Sequence, residues 1–180
     1  MDRLSIFWLQ ILVSLGVFAL VASWYVWPQL IKLPVGSALT LLLFVMVFRY
    51  VGMTELVKGM IDPRLSHTFR YEAAYGDLIA AVLSLASIFA LRSNWRGAIP
   101  LVWVANTWGF VDLLNGIRGV LQLNVPSYHL NTFWYVYTFY APIVIISHLL
   151  IFGILIKSRS QKKAIAQTSA TVQKDVTAQG

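Results

Sequence analysis

The sequence predicts an all-α polytopic membrane bundle of five transmembrane helices. Its 180 residues are 58% hydrophobic and only 12% charged, and the mean hydropathy is +0.71. Five long apolar stretches are separated by short polar gaps. A soluble domain of this size cannot bury so much apolar surface, so lipid is expected to cover part of it. Because a backbone in lipid must satisfy its own hydrogen bonds, each stretch is expected to be a helix.

The predicted spans are bounded by residues that break helices. Pro28 is expected to end the first span and Asp62-Pro63 the second, and a polar turn at residues 92–97 follows the third. Pro142 predicts a kink in the fifth. We place the five spans at residues 4–27, 36–61, 73–91, 99–121 and 132–156.

The start of the third span depends on Asp77. After Tyr75-Gly76 this residue could cap a helix that begins there. Only about 15 residues would then remain before Leu91, which is short for a span. We therefore expect the helix to begin near Ala73, with Asp77 in an early turn.

The first span could instead be a cleaved signal peptide, because Val21-Ala22-Ser23 resembles a cleavage site. We expect it to be retained, since the apolar run continues through Trp27. With five spans, eight basic residues lie on the side of the C-terminus and five on the other. This bias predicts the N-terminus outside and the C-terminus in the cytoplasm. Residues 1–157 then form one transmembrane domain, and residues 158–180 a basic, polar, disordered cytoplasmic tail.

Composition excludes several kinds of site. The chain has no cysteine, which rules out disulfides, thiolate metal sites and a cysteine nucleophile. It contains no phosphate-binding glycine loop or zinc-ligand cluster, and His129 and His148 are too far apart along a helix to share a haem. We therefore predict no metal and no cofactor. The basic residues lie at helix ends and in the tail, which indicates contact with the lipid bilayer and no nucleic-acid partner.

Almost all ionisable residues inside the spans lie in one half of the bilayer, the half on the N-terminal side. Because chain direction alternates from span to span, Arg49, Asp77 and Asp112 are expected in this half, with Arg49 and Asp112 at similar depths and Asp77 nearer the membrane surface. On the fourth helix Trp108, Asp112 and Asn115 follow helical spacing and form one stripe. A charge in lipid costs at least about 2.5 kcal/mol and is usually paired or functional. These five residues are the candidate ligand-binding site.

Each of these residues also has a purely structural interpretation. Asp112 and Arg49 could form an ion pair that fixes helix register, and Asn115 could bond a neighbouring helix. In that case the presence of Asp112 within a span would not indicate a ligand site. His148 is expected in the other half of the fifth span, apart from the polar cluster, as a buried histidine hydrogen-bonded within the bundle.

Three segments resemble those of small uncharacterised bacterial integral membrane proteins. They are residues 49–53 (RYVGM), 74–81 (AYGDLIAA) and 103–114 (WVANTWGFVDLL). The resemblance covers roughly the second to fifth spans. It implies a multi-pass protein of the bacterial cytoplasmic (inner) membrane and implies no activity.

Three functions fit these observations. The first is binding or passage of a small ligand or ion, as in a transporter, at a polar pocket in the outer half of the bundle. The second is a non-catalytic membrane subunit or assembly factor, working as a homo-oligomer or with a partner subunit. The third is a membrane-embedded enzyme acting on a lipid or isoprenoid, with Asp77 and Asp112 as acid and base. We rank the enzyme last because no nucleophile constellation supports it, and we assign no catalytic residue.

Overall fold

A computed structural model describes the backbone of residues 2–178 and the side chains of residues 2–160. Within this part of the chain the regular structure is helical, with no strand. Five long helices follow one another along the chain: α1 (Arg3–Leu30), α2 (Val35–Leu56), α3 (His67–Arg92), α4 (Ala98–Gln122) and α5, which begins at Phe133 and continues to Ala178.

Four helices of the described chain are long and apolar enough to cross a membrane: α1, α2, α3 and the Phe133–Ser160 part of α5. The fourth predicted span, α4, is helical over 25 residues but less apolar. Its sequence is interrupted by Asn106, Asp112 and Asn115. The all-helical fold is therefore confirmed with four candidate spans, and a fifth span belongs to the proposal below.

Polar contacts bring together the start of α1, the segment after α2 and the segment before α5. The Arg3 guanidinium, at the start of α1, donates to the backbone carbonyl of Tyr128, which precedes α5. The Asn131 amide, also before α5, donates to the carbonyl of Gly59 after α2 (3.2 Å). Helices that follow one another in the chain therefore run in opposite directions, and α1 and α5 begin at the same end. A buried apolar cluster fills this end of the bundle: Phe7, Ile61, Leu65, Phe69, Val120, Val125, Leu130 and Phe133.

A second apolar cluster fills the opposite end of the bundle. Its buried members are Leu30, Ala38, Leu39, Leu42, Leu43, Met46, Ile88, Val102, Val144, Ile151, Ile154 and Leu155. Along α2, α3 and α4, Arg49, Asp77 and Asp112 lie between the two clusters. α1 is peripheral and packs mainly on α5. Only 6% of the residues in its most apolar stretch are buried, against 39% in the corresponding stretches of α2, α3 and α5. Its outer face is thus available to lipid.

Two prolines that were expected to end or kink a helix lie within continuous helices. The first helix does not stop at Pro28 but continues to Leu30. A π-helical turn, Ala22–Val26, precedes this proline, and another, Val136–Tyr140, precedes Pro142 in α5. A proline lacks one backbone N–H and crowds the preceding turn, so a locally wider turn lets the helix continue.

The loop between α2 and α3 also begins and ends differently from the prediction. The α-helical part of α2, Val35–Val47, continues as a 3₁₀ helix, Phe48–Leu56, and Val57 is extended, so the helix ends before residue 61. α3 begins at His67 rather than near Ala73, because the Ser66 side chain caps it by accepting from the Phe69 N–H. Asp77 therefore lies well inside α3 and caps nothing.

The polar tail continues the last helix. We expected residues 158–180 to be disordered, whereas the α-helix that starts at Ala141 extends to Ala178. Side chains beyond residue 160 lie outside the described part of the chain, so the cytoplasmic placement of this segment stays a prediction.

Candidate functional site

Arg49 lies at the centre of a buried charge network and is 3% exposed. Its Nε donates to Asp77 Oδ1 on α3 (2.7 Å), and its Nη2 donates to Asp112 Oδ2 on α4 (2.6 Å). Nη1 donates to the backbone carbonyl of Gly109 (2.7 Å). All three guanidinium nitrogens therefore have partners, and one side chain joins α2, α3 and α4.

Three glycines make room for this network. A side chain at Gly52 on α2 would overlap the Asp77 carboxylate, and one at Gly76 on α3 would overlap the Asp112 carboxylate. A methyl group at Gly109 would lie 2.9 Å from Arg49 Nη1. Each glycine therefore lets a charged group of a neighbouring helix lie directly against the backbone.

The 3₁₀ helix at the end of α2 turns its polar residues toward the bundle. Its buried residues are Arg49, Gly52 and Glu55, spaced three apart. A 3₁₀ helix has three residues per turn, so these positions are stacked on one face. In an α-helix they would diverge by about 60° at each step. The local helix type therefore decides that Glu55 faces inward.

Glu55 is a buried carboxylate that sequence analysis did not select. It is 4% exposed, and its Oε1 accepts a hydrogen bond from the Tyr137 hydroxyl on α5 (2.8 Å). Its Oε2 has no hydrogen-bond partner among the described residues. The sequence signal was the three-residue spacing from Arg49 through Gly52, which is informative only if the segment is 3₁₀.

A cavity of about 280 Å³ opens beside the network. Apolar side chains form most of its wall, including Phe7, Trp8 and Ile11 of α1. One part of the wall is charged. It carries four carboxylates and one guanidinium: Glu55, Glu72, Asp77, Asp112 and Arg49. Such a site has an apolar body and an acidic end.

Residues 6–156 match a family model described as Domain of unknown function (DUF8737). The chain belongs to this family. No curated protein and no solved structure matches it. The family is one of unknown function, as the resemblance of the three sequence segments implied. The matched range contains the whole charge network and every residue of the cavity wall.

Four of the five candidate site residues of this DUF8737 chain line the cavity: Arg49, Asp77, Asp112 and Asn115. Trp108 does not: it is 45% exposed and lies outside the wall. The stripe of α4 that faces the bundle contains Val102, Ala105 and Gly109. Trp108 is one residue, or about 100°, away from Gly109, which turns its ring outward.

The expected separation of His148 from the polar cluster is wrong. His148 is 1% exposed, and its Nδ1 lies 2.8 Å from Asn106 Oδ1, so the expected hydrogen bond within the bundle is present. Its ring also lies against Gly109: a methyl group there would lie 2.9 Å from His148 Cε1. Arg49 touches the same glycine. A 3₁₀ helix rises about 2.0 Å per residue and an α-helix about 1.5 Å. Over the seven residues from Arg49 to Leu56 the 3₁₀ helix is therefore about 3.5 Å longer, so Arg49 lies that much farther from the end of α2 and closer to His148.

The loops at this end of the bundle are tied together by Asp62. Its carboxylate accepts from the backbone and side chain of Arg64 (2.7–3.0 Å) and from the His129 N–H (3.3 Å). The Arg64 side-chain hydrogen bonds, more than any other cause, hold the pKa of Asp62 well below its usual range. This contact joins the loop after α2 to the segment before α5.

Proposed function

We propose that this protein is a multi-pass membrane protein that binds or passes a small, mainly apolar ligand in the cavity between α1 and the other helices. The observation that carries the proposal is the cavity itself, with apolar walls and a single charged end. A cavity of about 150 Å³ can hold benzene, and pockets for drug-sized ligands begin near 300 Å³. The volume of about 280 Å³ therefore suits a ligand of one ring or a short chain.

We also propose that α4 is a fifth span, with the N-terminus outside and the C-terminus in the cytoplasm of a bacterium. At about 1.5 Å per residue, 25 residues exceed the roughly 30 Å of hydrocarbon in a bilayer. The polar side chains of Asn106 and Asp112 are directed to His148 and Arg49 within the bundle. A helix whose polar groups find partners inside a bundle can cross a membrane at lower hydropathy.

The Arg49 network holds the helices together, and the cavity beside it receives the ligand. Buried ion pairs add little net stability, since desolvation offsets their attraction, but breaking one is costly. Each of the three guanidinium nitrogens of Arg49 already donates to Asp77, Asp112 or Gly109. The structural interpretation therefore suits these groups, whereas Glu55 Oε2 accepts no hydrogen bond from any of the described residues.

One geometric observation favours an enzyme as a second candidate function. Asp77 Oδ1 and Asp112 Oδ2 each lie 2.6 Å from Arg49 Nη2, so the two oxygens are no farther apart than twice that distance. This is the proximity that an acid and base pair would need. The guanidinium lies between these two oxygens, however, and donates a hydrogen bond to each of them.

A cavity-filling pair of variants tests the proposed function. Gly116 lines the cavity, and a side chain there would meet nothing within 4 Å; Gly16 on α1 has the same open surroundings but does not line it. We expect small apolar compounds to raise the melting temperature of the purified wild type and of Gly16→Leu. Gly116→Leu should lose this stabilisation, because its side chain occupies the binding volume.

Two results would contradict the proposal. One is that no compound in a panel of single-ring and short-chain molecules stabilises the wild type at concentrations up to its solubility. The other is that Gly116→Leu and Gly16→Leu respond equally. Saturation to about 100 times the dissociation constant should stabilise the protein by about 2.7 kcal/mol, which a melting curve resolves easily.

A further inference from the structure

We propose that the acidic end of the cavity selects ligands with a protonated primary or secondary amine, received by the free carboxylate oxygen of Glu55. This inference rests on the proposed function and specifies the chemical class of its ligand. The ligand would be a small amine whose apolar body lies against the cavity wall formed in part by α1.

The first argument is the unused acceptor. Glu55 is 4% exposed and lines the cavity, and its Oε1 is already bonded to the Tyr137 hydroxyl. Its Oε2 has no partner among the described residues. A buried carboxylate oxygen without a donor is unfavourable, since it has lost its water without replacing it. A ligand that donates a hydrogen bond at this point would remove that cost.

The second argument is charge. Four carboxylates and one guanidinium line the cavity, and each nitrogen of the Arg49 guanidinium already donates to Asp77, Asp112 or Gly109. Arg70 on α3 is another cation close enough to interact with Glu55, but the two form no salt bridge. The excess charge on the wall is therefore negative, which attracts a cationic head and repels an anionic one.

The third argument separates an amine from other cations. A hard metal ion takes about six or more oxygen ligands, and the described residues contain no group of three His, Cys, Asp or Glu side chains suited to a metal. A quaternary ammonium has no N–H to donate to Oε2. A protonated amine supplies both the charge and a directional donor, which gives a charge-assisted hydrogen bond of about 2.8 Å.

Matched probes test this selection. 2-Phenylethylamine and 2-phenylethanol share the same body, and the amine is protonated at pH 7, as a lysine side chain is. Binding of both to the full-length protein in detergent would be measured by calorimetry. We expect the amine to bind the wild type at least tenfold more tightly than the alcohol. Glu55→Gln should abolish this preference and leave alcohol binding unchanged.

Two further variants keep the test decisive if Glu55→Gln does not fold. Tyr137→Phe removes the hydroxyl from Oε1 and leaves the carboxylate, so the amine preference should be kept or increased. Glu72→Gln removes the same charge from an exposed position on the cavity wall and should change the preference by less than threefold. A preference lost in Tyr137→Phe, or lost equally in Glu72→Gln, would overturn the assignment to Glu55.

The outcomes also separate the two proposals. Equal binding of amine and alcohol to the wild type, blocked by Gly116→Leu, would overturn the amine selection and leave the ligand cavity in place. Binding of neither probe, with no stabiliser in the wider panel, would overturn both. Tighter binding of the amine that Gly116→Leu does not affect would place an amine site outside this cavity and overturn the inference.

Discussion

The Asp112 carboxylate on α4 lies directly against the backbone of Gly76 on α3, where a side chain would overlap it. The same carboxylate accepts from Arg49 Nη2 (2.6 Å), so the glycine and the ion pair depend on each other. Helices that approach through small residues can place polar groups in contact within a bundle.

Gly76→Ala is therefore expected to destabilise the protein. Overpacking costs about 1–3 kcal/mol, and displacement of Asp112 from Arg49 would add to it. Gly16→Ala is the matched control, because a methyl group there meets nothing within 4 Å and alanine favours a helix by about 0.5–1 kcal/mol. Thermal unfolding in detergent would compare the two. Equal effects would show that α3 and α4 are not in close contact at this glycine.

Arg49→Met is expected to cost about 3–5 kcal/mol, because it leaves Asp77 and Asp112 buried without a counter-charge. Changing both aspartates to asparagine in the same chain should recover most of this loss, since the uncompensated charges are then removed. Arg118→Met, at an exposed position of α4, should stay within about 0.5 kcal/mol of the wild type. A triple variant no more stable than Arg49→Met would contradict charge compensation as the role of Arg49.

Asn106 and His148 are expected to be energetically coupled. Asn106→Ala removes the partner of His148 Nδ1, and a buried ring nitrogen without its partner costs about 1–3 kcal/mol. A double-mutant cycle with His148→Phe should give a coupling free energy of about 0.5–3 kcal/mol. Asn115→Ala, on the exposed part of α4, serves as the uncoupled control. Additive effects of Asn106→Ala and His148→Phe would rule out the interaction.

Asp62 is expected to make stability depend on pH in the acidic range. Its folded-state pKa lies below the usual value of 3.8, so the stabilisation is present above that value and is lost as the pH falls through the folded-state pKa. Asp62→Asn should therefore be less stable than the wild type at pH 7, with a smaller difference at pH 3. Arg64→Ala should move the loss to higher pH. Isothermal unfolding at several pH values would measure this, and a difference independent of pH would contradict it.

Sequence alone located the helices and brought Arg49, Asp77 and Asp112 to the same half of the bundle. This worked because lipid permits mainly helices, and chain direction alternates from one helix to the next. The depth of a residue in the bilayer then follows from its position along the chain and does not depend on how the helices pack. The glycines of the network were visible in the segments 49–53, 74–81 and 103–114, but their function as contact points was not.

Tertiary structure decided the direction in which each side chain points. Over the six residues from Arg49 to Glu55 an α-helix turns by about 600°, whereas a 3₁₀ helix makes two full turns and returns Glu55 to the inner face. The same change of rise brings Arg49 to the level of His148. Trp108 was placed in the cavity from spacing alone, yet the inner face of α4 is set by Gly109. Composition determines that a segment is a helix in a membrane, but contacts between helices determine its local winding and which of its faces is buried.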